Sequence, residues 1–343
     1  MRVRPFVPRL LQSLLRIGAA LAGVLALLAG AVLVMTTMPL HSHQGALPAL
    51  TPQESALADR LRGHVSTVAT QEHNLRNPAA LEAVAVYLEQ QLASMGYGVE
   101  RQEYTVAGQP VRNLQATLPS RTAPGQRTVV VGAHYDSAHH TPGANDNATG
   151  TAAVLELARS LRQPGDISAD IMFVLYTNEE PPYFKTPLMG SQVHAKALAA
   201  DHTRVVAMLS LETMGYYSGV AGSQKYPWPL HLLYPTEGNF IAFVGTTGDL
   251  GLVRQVVRSF RSHTSFPSEG IAAPRFIPGV DYSDHAAYID AGYPALMVTD
   301  TAPYRYPHYH SRQDTPDKVD FERLARVVMG VERVVAELAR QTH

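Results

Sequence analysis

Two adjacent carboxylates, Glu179 and Glu180, follow closely on the apolar run Ile171 to Tyr176, and His134, Asp136, Asp146, Glu212 and His310 stand mostly just after apolar runs of their own. Charged groups beside buried strands are costly unless they are paired or bound to a metal, so this many calls for a common partner. Neutral imidazole nitrogen and carboxylate oxygen are both good ligands for Zn2+, and catalytic zinc sites keep one position open for water. Two ions roughly 3.5 to 4 Å apart can share one carboxylate and stabilise both a nucleophile and a developing oxyanion. Such a centre needs a bridging carboxylate, terminal ligands for each ion and a free carboxylate to take a proton from water. The paired glutamates suit the last two roles, because neighbouring side chains of an extended segment point to opposite sides. The pattern implies hydrolysis by two metal ions.

The elements that must position these groups are strands, which in open α/β sheets deliver function from their carboxyl ends. Thr128 to Gly132 feeds G-A-H-Y-D-S (132 to 137), Ile171 to Tyr176 feeds T-N-E-E (177 to 180) and Val205 to Leu211 feeds E-T-M-G (212 to 215). Ala295 to Val298 is followed by T-D-T-A and then by H-Y-H-S-R-Q-D-T (308 to 315), while G-A-N-D-N-A-T-G (143 to 150) opens onto a helical stretch, Ala152 to Leu161. Elsewhere Thr51 to Thr67 and Pro78 to Met95 read as amphipathic helices, the second closed by Gly96 and Gly98. Val99 to Val106 and Arg112 to Leu118 read as a strand pair, Asn239 to Gly245 as a strand, Leu250 to Ser262 as a helix with Asp249 as its N-cap, and Phe321 to Arg340 as a closing helix. Helices alternating with strands, plus an antiparallel pair near an edge, predict a three-layer α/β/α sandwich around a mixed, mostly parallel sheet.

The ordered series G-A-H-Y-D-S, G-A-N-D-N-A-T-G, N-E-E, L-E-T-M-G, S-D-H and Y-H-S-R-Q-D-T resembles metallopeptidase family 28, which contains bacterial di-zinc aminopeptidases and glutaminyl cyclases. The resemblance covers roughly residues 70 to 340 and agrees with the sandwich fold. It implies His134 and Glu212 on one zinc, Glu180 and His310 on the other, and Asp146 bridging both. It also implies Glu179 as general base and Asp136 as the group that holds the imidazole of His134, as metal-bound histidines require. Two zinc ions per chain and a peptide substrate follow. The chain departs from the family pattern at Glu212, where most members carry Asp, and in P-P-Y-F-K-T-P-L (181 to 188), which is often shorter in relatives. Its adjacent prolines stiffen the exit from the strand, and its aromatics are candidates for a specificity pocket. The resemblance leaves open an aminopeptidase, the first choice, a carboxypeptidase or dipeptidase, a glutaminyl cyclase, and a binding module without activity.

Each residue also has a blander reading. A lone His is more often structural than a ligand, and Glu179-Glu180 alone would be a solvated pair. His73, His139, His140, His202, His231 and His263 lack motif context and read as surface or satisfied polar groups. Arg305, in P-Y-R-Y-P-H-Y-H, is either a clamp for a substrate carboxylate or a surface arginine. Tyr304, Tyr306 and His308 are candidates for the pocket wall, Asp284 is a helix cap with Ser283 or an acid near the metals, and Asp314 and Thr315 are expected to tie down the loop of His310.

The amino terminus bears on location. Ile17 to Met35 carries no charge, and at ~1.5 Å per residue it comes close to the roughly 30 Å thickness of membrane hydrocarbon. Arg2, Arg4, Arg9 and Arg16 precede it without an acidic residue, which places the short tail in the cytoplasm and the rest outside. The reading is a tail and single-pass signal anchor over 1–39, a linker over 40–52 and a catalytic domain over 53–343, with secretion after cleavage as the alternative. The chain has 28 basic and 29 acidic residues, so nothing suggests the basic patch that nucleic acid requires. With no cysteine there are no disulfides, thiolate metal sites or cysteine nucleophiles.

Overall fold

The computed structural model describes residues 9–163 and 165–341. It divides into an N-terminal unit ending at Thr37 and a second unit beginning at Met38. The first is one helix, α1 (Arg9–Thr36), whose segment Ser13–Thr36 has a mean hydropathy of 2.5 and no buried residues. At 24 residues this segment measures roughly 36 Å, long and apolar enough to cross a bilayer. Arg2 and Arg4 lie outside the described residues.

In the second unit the order is α2 (Pro52–Val68), α3 (Pro78–Ser94), β1 (Val99–Val106), β2 (Gln109–Leu118), β3 (Thr128–His134), α4 (Thr149–Ser160), β4 (Asp170–Tyr176), α5 (Gly190–Ala200) and β5 (Val205–Glu212). There follow β6 (Ile241–Thr246), α6 (Leu250–His263), β7 (Ser268–Ala273), α7 (His285–Asp290), β8 (Ala295–Thr299), α8 (Ala302–Arg305) and α9 (Phe321–Arg340). Helix α2 starts where the capping box demands: Glu54 N–H donates to Thr51 Oγ1 at 3.2 Å, and Thr51 N–H donates to Glu54 Oε2 at 2.7 Å.

The strands form one mixed sheet in the order β1-β2-β4-β3-β5-β8-β6-β7. The centre β4-β3-β5-β8 is parallel, with the antiparallel pair β1-β2 at one edge. Every residue of β3, β4, β6 and β8 is buried, as a sheet covered on both faces requires. Alternate side chains feed the two cores. Val129 and Val131 join Leu61, Leu155, Phe260 and Leu324 on one face, and Val130 joins Leu198, Met208 and Tyr288 on the other. At Gly132 a Cβ would stand 2.4 Å from the Tyr176 ring, so only glycine lets β3 pass that side chain.

Two features differ from the sequence expectation, the strand at 268–273 and the role of Asp249. Residues 268–273 form a strand although S-E-G-I-A-A carries no strand pattern, and β6 runs antiparallel to β8. Asp249 does not cap α6 with its side chain; its Oδ1 accepts from Ala295 N–H at 3.2 Å, so tertiary pairing wins over local capping. Residues 38 to 51 lack regular structure and are docked: the Arg261 guanidinium donates to the carbonyls of Pro39 and Leu40, and Ser268 N–H donates to Ser42 Oγ at 2.9 Å.

Candidate metal centre

Parallel pairing brings the functional side chains to one end of the sheet, with His134 in register with Tyr176 and Glu212 with Thr299. His134 Nε2 lies 3.4 Å from Asp146 Oδ1 and 3.3 Å from Glu212 Oε2. His310 Nε2 lies 3.1 Å from Asp146 Oδ2 and 3.3 Å from Glu180 Oε2. Asp146 thus offers one oxygen to each of two clusters, His134-Asp146-Glu212 and Asp146-Glu180-His310, in each of which the donor atoms lie within 4.8 Å of one another. Glu179 belongs to neither cluster. Its Oε2 stands 3.8 Å from His134 Nε2, on the side of the first. Asn178, at φ 58°, turns the chain after β4 so that the two adjacent glutamates face different clusters.

The supports come from far along the chain. Asp136 accepts the N–H of Glu179 on one carboxylate oxygen (3.0 Å) and that of Glu180 on the other (3.1 Å). It meets His134 Nδ1 through its main-chain carbonyl at 3.0 Å, with the carboxylate at 3.6 Å. Ser283 Oγ donates to Glu212 Oε2 at 2.7 Å, which fixes the long stem of this glutamate. Asp314 accepts from the N–H groups of Asn145 (2.8 Å) and Asp146 (3.1 Å), so it ties down the loop of the shared aspartate rather than only that of His310. Asn145 Nδ2 donates to Asp300 at 2.9 Å, and Asn147 bridges the Leu211 carbonyl and Thr213 N–H just beside Glu212. Tyr309 stacks on the His310 ring at 3.9 Å.

Charge is badly matched within this cluster when protons alone serve it. Burial alone would depress the imidazole of His134, but Glu179 and Glu212 outweigh it and hold the imidazole protonated well above the usual range. His310 is likewise pushed up to about 10, against its burial, by Asp146 and Glu180. Burial would raise Asp146, yet the two imidazoles hold it below the ordinary carboxylate range. Glu180 rises to about 7 through burial and the charge of Asp146, while Glu179 and Glu212 are raised chiefly by burial. His134 Nε2 and Glu180 Oε1 are buried without a hydrogen-bond partner. Imidazoles held charged, glutamates pushed toward their neutral form around an ionised Asp146, and orphaned donor atoms are what a pocket for divalent cations looks like before the cations are counted. The mixed nitrogen and oxygen donor set suits zinc.

Around the clusters, Glu212, Val244, Tyr282, Met297, Tyr304 and Tyr309 line a pocket of about 410 Å³. It shares Val244, Gly279, Thr301 and Tyr304 with an apolar pocket of about 560 Å³. On the other side Glu180 borders a groove walled by Arg76, His139, Pro181, Pro182 and Tyr183, so part of the 181 to 188 segment does face this region. Arg305 is neither a surface residue nor a free clamp. Its buried guanidinium donates to Gln224 Oε1 at 2.7 Å and to the Phe240 carbonyl at 2.8 Å, and lies over the Phe240 ring. Tyr306 is committed to Asp314 by its hydroxyl, and His308 to Gln313, so neither walls the pocket. Asp284 is no cap: its carboxylate is fully buried near Ser191, and burial raises it to about 7 with His134, Glu212 and Asp136 as charged neighbours. Sequence reasoning missed Asn145, Asn147, Ser283, Asp300 and Tyr309. All five lie inside segments quoted above (143 to 150, S-D-H, T-D-T-A and Y-H-S-R-Q-D-T), and that membership was the one signal available.

The model of peptidase family M28 matches residues 113–335. The uncharacterized protein YfbL of Escherichia coli (strain K12) is 41% identical over 260 residues, covering 73% of this chain and 78% of that protein. The probable leucine aminopeptidase 1 of Trichophyton verrucosum is 28% identical over 246 residues, 66% of this chain and 58% of its own length, so the chain spans little more than half of that relative. Among solved structures, the fold is similar to BSAP, a zinc aminopeptidase from Bacillus subtilis (TM-score 0.67, 14% identity, 86% of this chain and 97% of that one). It is also similar to the Fimbriiglobus ruber glutaminyl cyclase (TM-score 0.61, 22% identity, 85% and 99%). With the family model covering well over half of it, this chain belongs to peptidase family M28, and it carries two side-chain clusters that could hold metal ions.

Proposed function

We propose that this chain is an aminopeptidase that holds two zinc ions, one on His134, Asp146 and Glu212 and one on Asp146, Glu180 and His310. The observation that carries the reading is the division of the Asp146 carboxylate between two imidazole-bearing clusters, with Glu179 outside both. Zinc at these donors would lower the pKa of water toward neutrality and polarise a scissile carbonyl. Glu179 takes the proton of the attacking water and returns it to the departing amine. Asp136 fixes both glutamates by their main-chain N–H groups, so base and ligand keep their separate aims. The carboxylates favour a free α-ammonium at the centre, and the apolar wall of Val244, Met297 and Tyr304 favours an uncharged N-terminal side chain. The committed guanidinium of Arg305 supports an aminopeptidase over a carboxypeptidase.

The apolar helix α1 is read as an uncleaved anchor for residues 1–39, joined by 40–52 to a catalytic domain over 53–343 that lies outside the cytoplasm. Zinc content, together with amino-acid release from unblocked and N-acetylated peptides, tests the catalytic reading. About two zinc per chain and cleavage of unblocked peptides alone are expected. One zinc with pyroglutamate formed from N-terminal glutamine would move the assignment to a cyclase, and release from the carboxyl end to a carboxypeptidase.

A further inference from the structure

The leaving part of a peptide needs a path away from the metal centre. The pocket that borders Glu212 and Tyr309 lies beside the first cluster, and the groove that borders Glu180 lies beside the second. A peptide whose N-terminal side chain fills the first therefore sends its remaining residues along the second. That groove, of about 530 Å³, is walled by Pro181, Pro182 and Tyr183, which follow the ligand, and by Arg76 and His139. Among the described residues that wall it, Arg76 is the one arginine or lysine.

The guanidinium of Arg76 meets His139 Nδ1 at 3.4 Å, and the described residues pair it with no carboxylate. Glu72, the nearest acid in sequence, is turned elsewhere: its Oε1 accepts from Asn74 Nδ2 at 3.0 Å and its Oε2 lies 3.8 Å from His140 Nδ1. A guanidinium only donates, so His139 Nδ1 accepts and the ring proton sits on Nε2. The pair thus keeps unspent N–H donors. Prolines 181 and 182 have no N–H to offer, and the Asn74 amide is already spent on Glu72 and the Ser137 carbonyl. A carboxylate in this groove finds its cationic partner at Arg76.

The loop that carries Arg76 is pinned to the metal centre. Asn74 Nδ2 donates to the Ser137 carbonyl at 2.8 Å, His73 N–H donates to Ser137 Oγ at 3.0 Å, and Arg76 N–H donates to Asn74 Oδ1 at 2.9 Å. Ser137 follows Asp136, which holds the N–H of Glu180 at 3.1 Å. Few bonded steps separate the cation from the second cluster.

We infer that Arg76, with His139 beside it, binds the α-carboxylate of the leaving peptide, so that the preferred substrates are di- and tripeptides with a free carboxyl end; this rests on the aminopeptidase reading. An extended chain advances ~3.3 to 3.6 Å per residue, so one or two residues past the scissile bond carry the carboxylate along the groove to the guanidinium. The guanidinium fork matches a carboxylate through two parallel bonds, and a carboxamide loses both the charge and one acceptor oxygen. In a longer peptide a neutral main-chain amide stands at that place and gains nothing from the cation.

The test uses the zinc-loaded full chain and three substrates: leucyl-glycyl-glycine, its C-terminal amide, and a hexapeptide with the same N-terminus. Expected is a kcat/KM for the free acid about tenfold above that for the amide or the hexapeptide, carried by KM and eroded by salt. In Arg76→Gln the ratio of acid to amide should fall to about one, while Arg76→Lys should keep part of it, because the charge stays and the fork is lost. Each ratio is taken within one preparation, so a general loss of activity does not imitate the result. Equal rates on all three substrates in the unaltered chain would overturn the inference and leave the aminopeptidase standing, and this comparison needs no variant to fold. A preference for the acid that survives in Arg76→Gln would also overturn it. No N-terminal release from any of the three would overturn the aminopeptidase reading as well.

Discussion

Replacing Glu179 with Gln should abolish most turnover while leaving metal content intact, and the structure fixes why the two separate. The substitution preserves shape and keeps the main-chain N–H of residue 179 on Asp136, a bond of 3.0 Å that does not involve the side chain. The carboxylate it neutralises lies 3.8 Å from His134 Nε2 and in neither donor cluster, so every proposed zinc ligand survives. What is lost is a base that takes a proton from water. General-base catalysis is worth roughly 10²- to 10⁴-fold, or about 3 to 5 kcal/mol of barrier. The assay is kcat and KM for release of an unblocked N-terminal residue, beside zinc per chain measured on the same preparation. Asp146→Asn is the contrast, because it removes the charge that both clusters share and should lose metal and activity together. Turnover within tenfold of the parent at full zinc content would refute Glu179 as the base. Loss of one zinc in Glu179→Gln would refute the partition of the two glutamates.

Asp314→Asn leaves the ligands untouched but weakens the carboxylate that accepts the Asn145 and Asp146 N–H groups, so zinc affinity should fall about 10- to 100-fold, measured by competition with a chelator. Gly132→Ala should destabilise by about 1 to 3 kcal/mol in urea melts, because its Cβ would stand 2.4 Å from the Tyr176 ring; an unchanged midpoint would show that β3 can shift. His194 is buried between Tyr288 and Gln115, and burial lowers it from 6.5 to about 4. The unfolded chain therefore takes the proton first. Stability from the neutral imidazole is full above the unfolded pKa and is lost as pH falls from 6.5 toward 4, with a slope of at most about 1.4 kcal/mol per pH unit. His194→Gln in the chelator-treated chain should flatten the curve of urea midpoint against pH by that single proton. Stripping the metal should lower Tm, since a cation that binds only the folded donor set stabilises it, and zinc should restore it.

What the sequence determined is what depends on residue type and near neighbours. Buried strands declare themselves by apolar runs, and ligands follow those runs because strand ends are where a sheet opens. His134, Glu180 and Glu212 stand out as candidates on that ground, while their division between two metals, with Asp146 and His310, came from the family resemblance. Capping at Thr51 and the long apolar stretch behind α1 are local in the same sense. The rest required the fold. No spacing shows that Asp314 holds the Asp146 loop, for the two are 168 residues apart, nor that Asn145 meets Asp300 across 155. Strand β7 has no pattern of its own and exists because β6 offers it an edge. Arg305 reads as a surface cation, yet the Phe240 ring and carbonyl make a buried place for it. Likewise Asp136 acts through a main-chain carbonyl toward His134 and through its carboxylate toward two N–H groups, a division of labour that composition cannot encode. Ligand identity is written in side-chain chemistry, which each residue carries alone. Ligand orientation is set by hydrogen bonds between distant segments, and those exist only after the sheet has brought the segments together.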